Sequence, residues 1–121
     1  MKTVKKEPIT AFLITLKVLS NKENGIIFVD TRGNKCIDYI KNIGLTLNEA
    51  KQEIAELKET ELVKGPEKDR DREGVIWVFK KKIKEKDTYI KLKLETTENQ
   101  RFIKCISFHE YTKKGEQNEQ N

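Results

Sequence analysis

Histidine and tryptophan each occur once in these 121 residues, and proline and cysteine twice each. Cys36 and Cys105 fall in no paired spacing, so with a single histidine they form neither a metal-ligand motif nor a disulfide framework. They fit a protein that keeps its thiols reduced, and a cytoplasmic location is expected. Long apolar runs are also missing. The stretch from Ala11 to Ile14 is far too short to cross a bilayer or serve as a secretory signal, so no membrane role is expected. The length accommodates one small core, and no second catalytic domain is expected.

Charge is plentiful by contrast. Charged residues make up 37% of the chain and apolar ones 36%, which calls for one compact apolar layer under a heavily charged surface. The net charge of +5 is a small excess over both signs and says little about a ligand. Its distribution says more. Lys80, Lys81, Lys82, Lys84, Lys86, Lys91 and Lys93 are opposed locally only by Glu85 and Asp87. That segment would attract phosphate, or it is a solvated hairpin tip whose lysines guard a sheet edge.

Along the chain, Pro8 suits the first turn of a helix reaching Ser20, with Phe12, Leu13, Leu16, Val18 and Leu19 as its apolar side. Ile26 to Val29 reads as a short buried strand, and Asp30 to Gly33 as a turn. A second helix spans Asn34 to Ile43. A third begins at Thr46, with Glu49 completing a capping box and Leu47, Ala50, Ile54 and Leu57 as its stripe. The period then changes. Glu61 to Val63 is a short strand, Lys64 to Gly74 a charged loop, and Val75 to Ile83 a strand with Val75, Trp77, Phe79 and Ile83 on one face. Residues 112–121 contain nothing apolar and read as a disordered tail behind a domain of residues 1–111. The fold class is α+β: three N-terminal helices on one face of a mostly antiparallel sheet, the other face left open.

The last two strands are the most telling. In Tyr89 to Leu94 the apolar Ile90, Leu92 and Leu94 share a face, so Tyr89, Lys91 and Lys93 share the other. In Phe102 to His109, Phe102, Ile106 and Phe108 alternate against Ser107 and His109, with Lys104 interrupting the apolar face. Paired as a hairpin, these runs bring a phenol, two ammonium groups, a hydroxyl and an imidazole onto one surface.

Taken with Phe12-Leu13 and Leu16-Lys17, Phe28 to Lys35, Ile43 to Thr46, Lys64-Gly65-Pro66-Glu67 with Asp69, and Gly74 with Trp77 and Phe79, these strands resemble the MqsR family of toxins. The likeness runs from about Phe12 to His109. It implies a RelE-like fold, the role of messenger RNA interferase in a type II toxin–antitoxin module, no cofactor, and an antitoxin partner of helix-turn-helix type. In the better-described branch, a lysine follows the first strand of the sheet half, a glutamine follows the tryptophan, a tyrosine opens the Tyr-hydrophobic-Lys strand, and a lysine closes the last strand. The matching positions are Lys64, Val78, Tyr89 and His109. Val78 cannot replace the glutamine chemically, and Glu61-Leu62 stands where Asp-Tyr often precedes Lys-Gly-Pro.

Cleaving RNA without a metal takes removal of the 2′-hydroxyl proton, stabilisation of a dianionic phosphorane and protonation of the 5′-oxygen. The products are a 2′,3′-cyclic phosphate and a 5′-hydroxyl. An imidazole is the side chain that exchanges protons near neutral pH, which makes His109 the candidate acid or base. Lys64 and Tyr89 are the other candidate catalytic groups, the lysine for charge and the phenol for base stacking or a phosphate hydrogen bond. Lys91, Lys93, Arg70, Arg72 and Ser107 are candidate RNA contacts. Each also has a plainer reading: strand partners for the lysines, core-edge packing for Tyr89, an exposed strand end for His109. Ser107 has no acidic partner for a nucleophilic triad. Two other functions remain open, a winged-helix DNA-binding regulator and a decayed, non-catalytic interaction module.

Overall fold

The chain runs α1 (Glu7–Ser20), β1 (Ile26–Phe28), α2 (Lys35–Asn42), α3 (Leu47–Ala55), a 3₁₀ turn (Glu59–Glu61), β2 (Leu62–Lys68), β3 (Val75–Ile83), β4 (Lys86–Thr96) and β5 (Arg101–Glu110). This computed structural model describes residues 7–29, 33 and 35–111. The expected tail at 112–121, the segment 1–6 and most of the turn at 30–33 lie outside the described residues. The capping box forms as the spacing predicts. Thr46 Oγ1 accepts from the Glu49 amide at 3.0 Å, and Glu49 Oε1 accepts from the Thr46 amide at 2.9 Å, satisfying two donors at the start of α3.

The five strands lie in the order β1-β5-β4-β3-β2, with β1 parallel to β5 and every other pair antiparallel. The architecture is α+β. Ile9, Phe12, Leu16 and Leu19 of α1, Cys36 and Ile40 of α2, and Ala50 and Ile54 of α3 join Trp77, Phe79, Ile83, Ile90, Leu92, Ile103, Cys105 and Phe108 in one core. The Phe12 ring stacks on Trp77 at 4.9 Å, so the tryptophan is a packing residue that holds α1 to β3.

Five expectations need correction. In the stripe of α3, Leu47 is 40% exposed, and Leu57, though buried, lies past the end of the helix at Ala55. Val18 is 53% exposed, and Ile9 supplies the α1 contact in its place. Val75 shares the parity of Trp77 but, at the first position of β3, is 41% exposed. The expected loop from Lys64 is strand as far as Lys68, leaving only 69–74 between β2 and β3. Gly65 and Pro66 do not end β2 because two register irregularities absorb them. Finally, strict alternation fails in β5. Lys91 pairs with Ser107 but Leu92 pairs with Cys105, so Ile106 is an extra residue. Past that bulge Ile103 and Cys105 face the core, both 0% exposed, while Phe102 and Lys104 turn to the opposite face.

Candidate active site

The register builds a polar row across four strands of the face opposite the helices. Lys64 pairs with Val78, Val78 with Lys91, and Lys91 with Ser107. Residues directly opposite one another in antiparallel strands point the same way, so the row spans about 14 Å from Lys64 to Ser107 at ordinary strand spacing. Val78 is buried at its centre. Among the described residues Lys64 and Lys91 form no ion pair, so neither ammonium group is engaged by a carboxylate.

A second row lies beside the first: Lys80 pairs with Tyr89, and Tyr89 with His109. The Tyr89 ring stacks on the His109 imidazole at 4.8 Å with 10° between the planes, and stacks on Tyr111 at 6.1 Å. Lys80 Nζ stands 4.9 Å above the Tyr111 ring and 4.0 Å from Asp87 Oδ2. His109 Nδ1 lies 3.0 Å from the Glu110 carbonyl oxygen. Tyr89 is only 2% exposed, so its ring faces its neighbours and offers no platform to a base. His109, Ser107, Lys91 and Lys64 are half-buried.

A third row is electrostatically closed. Ile76 pairs with Lys93, and Lys93 with Lys104. Lys93 Nζ sits 2.7 Å from Asp69 Oδ2 and 3.5 Å from Glu95 Oε2, while Lys104 Nζ lies 3.1 Å from the same Glu95 oxygen. The hydrogen bond from Lys93 holds the Asp69 carboxyl below its ordinary range, and the same bond, against the opposing effect of burial, holds Lys93 above its own. Burial would raise Glu95, but the hydrogen bond and charge of Lys104, with the charge of Lys93, bring it below the ordinary value.

Lys64, Lys91 and Ser107 therefore share one row and Tyr89 and His109 the next, all on one face of the sheet. Lys93 shares their face but is sealed in ion pairs, and Arg70 and Arg72 are exposed on the loop that its partner Asp69 begins. The rest of the lysine cluster divides between the faces. Lys81 bonds Glu53 of α3 at 2.9 Å on the helix side, and only Lys80 joins the site. Tyr111 joins the site through the Tyr89 ring and Lys80, one more step of the alternation that runs through Ser107 and His109.

With this geometry in place, comparison with known families is decisive. A family model described as "Motility quorum-sensing regulator, toxin of MqsA" matches residues 14–110. The chain belongs to the MqsR toxin family. The match takes in all of β2 to β5, and hence the three rows, and makes this a toxin family of toxin–antitoxin modules. No curated protein and no solved structure matches the chain. Among the described residues no helix is long and apolar enough to cross a membrane, and no three His, Cys, Asp or Glu side chains gather where they could hold a metal ion.

Proposed function

We propose that this MqsR-family protein is an endoribonuclease that cleaves messenger RNA without a metal, restrained in the cell by a cognate antitoxin. The observation that carries the reading is the row that sets the ammonium groups of Lys64 and Lys91 on either side of Val78, neither in an ion pair among the described residues, with the half-buried His109 two positions along β5 from Ser107, the partner of Lys91. The RNA 2′-oxygen attacks phosphorus as its proton leaves, the P–O5′ bond breaks, and the 5′-oxygen takes up a proton. His109 serves one of the two transfers. Lys64 and Lys91, reaching in from either side of Val78, stabilise the phosphorane charge. Tyr89 acts through His109, holding the imidazole plane, and is a positioning residue. Ser107 is a hydrogen-bonding neighbour at the end of the row. Lys93 belongs to the scaffold, leaving Arg70 and Arg72 as the outlying phosphate contacts. The antitoxin partner follows from the family's description as the toxin of MqsA, and its helix-turn-helix character is part of the proposal.

The test is incubation of the purified protein with RNA in EDTA. Wild type should produce 2′,3′-cyclic phosphate and 5′-hydroxyl ends, and His109→Ala and Lys64→Ala should each lose on the order of a hundredfold in rate. Intact RNA with wild type would sink the reading. Val78 buried in the middle of the row, where the resemblance places a glutamine, favours the non-catalytic interaction module as the second reading. Under that reading the antitoxin still binds.

A further inference from the structure

Lys93 lies on the face that carries Lys64 and Lys91, yet its side chain is 1% exposed. An ammonium stripped of water persists only against carboxylates, and here Asp69 and Glu95 supply them. Asp69 is also the hub of the loop 69–74. Its second oxygen accepts from the Asp71 amide at 2.9 Å, the Arg72 amide also donates to its carboxylate, and its own amide donates to the Gly74 carbonyl at 3.0 Å. The far end of the loop closes on the same lysine. Gly74 has φ +109, and a Cβ placed there would stand 2.8 Å from Lys93 Cε. One carboxylate thus fastens the loop to itself and to the central strand β4.

We infer that Asp69 and Lys93 are positioning residues that latch the loop 69–74 to the sheet and fix Arg70 and Arg72 in one arrangement beside the Lys64–Lys91 row. What the arginines contact rests on the ribonuclease reading; the latch itself does not. Ordering a loop and two long side chains opposes binding, so a loop ordered beforehand gives its arginines more affinity for a phosphate backbone. Asp69 and Lys93 need never touch the substrate.

Amide hydrogen exchange and cleavage kinetics on the full chain test this together. In Asp69→Ala, Lys93 retains Glu95, so the fold should persist while the Asp71 and Arg72 amides exchange about tenfold faster and those of β3 to β5 are unchanged. KM for RNA should rise about tenfold with kcat held within about twofold, the split expected when uniform binding is lost. In an Arg70→Gln/Arg72→Gln background, Asp69→Ala should raise KM no further, because the arginines are the means by which the latch acts. Unchanged exchange overturns the latch, and an equal KM rise with and without the arginines overturns its role in positioning them. Should wild type leave RNA intact, the ribonuclease reading falls and exchange alone still decides the latch.

Discussion

The imidazole of His109 lies parallel to the phenol ring of Tyr89, 4.8 Å away, because the two residues are direct partners in the β4–β5 ladder. The buried ring sets the plane of the half-buried one. Tyr89→Phe keeps the ring and should retain most of the RNA cleavage, whereas Tyr89→Ala should lower stability by about 3–5 kcal/mol and take cleavage with it. Urea unfolding measured beside the cleavage rate separates the two variants.

Lys91 and Lys104 are both lysines on the same face, but only Lys104 is spoken for, by Glu95 at 3.1 Å. Lys91→Ala should weaken RNA binding and reduce the slope of log K against log salt by about 0.7 for a single-stranded ligand. Lys104→Ala should leave that slope unchanged. Titrations at several salt concentrations provide the comparison.

The β3–β4 hairpin turns through Lys84 and Glu85 at φ 54° and 67°, a left-handed pair for which Asn-Gly is the preferred sequence. Replacing them, Lys84→Asn with Glu85→Gly, should stabilise the protein by about 1 kcal/mol by relieving the steric cost at those angles. The melting temperature should rise while RNA cleavage stays the same.

Gly65 interrupts β2 immediately after Lys64, at φ +129, and a Cβ there would lie 2.8 Å from the Ile76 carbonyl oxygen and 3.1 Å from Trp77 Cα. Both obstacles are backbone and cannot swing away. Gly65→Ala should therefore cost about 1–3 kcal/mol and shift Lys64 out of its row, read as a lower denaturation midpoint together with slower cleavage.

The Asp69–Lys93 pair gives stability a defined pH window. Asp69 is held low, so its contribution is complete above about pH 4 and is lost as pH falls through the depressed value. Lys93 is held high, so its contribution is complete below about pH 10 and is lost as pH rises through the elevated value. The stability difference between wild type and Asp69→Ala should be flat between those limits and shrink beyond either one. Chemical denaturation across pH measures it.

Much of this architecture could be read from local signals. The Thr46–Glu49 box, Ala50 and Ile54 of the α3 stripe and the bounds of β3 lie where spacing puts them. So does the polar parity of Tyr89, Lys91, Ser107 and His109, since alternation needs only a strand and a core. Residues 64–68 misled because glycine and proline mark turns in isolation, while pairing with β3 keeps them in the sheet. Phe102 and Lys104 misled because a single bulge at Ile106 inverts every residue before it.

Periodicity within a few residues is enough to set the helical first half, the strands and the polar parity of Tyr89, Lys91, Ser107 and His109. Tertiary structure alone decided which of those groups are available. Lys93 and Asp69 meet across 24 positions, and Tyr89 is covered by the rings of His109 and Tyr111 from across the β4–β5 hairpin. Burial and ion pairing depend on what the rest of the chain brings alongside. That is why two lysines of equal standing in the sequence, Lys91 and Lys93, become a half-exposed charge and a buried latch.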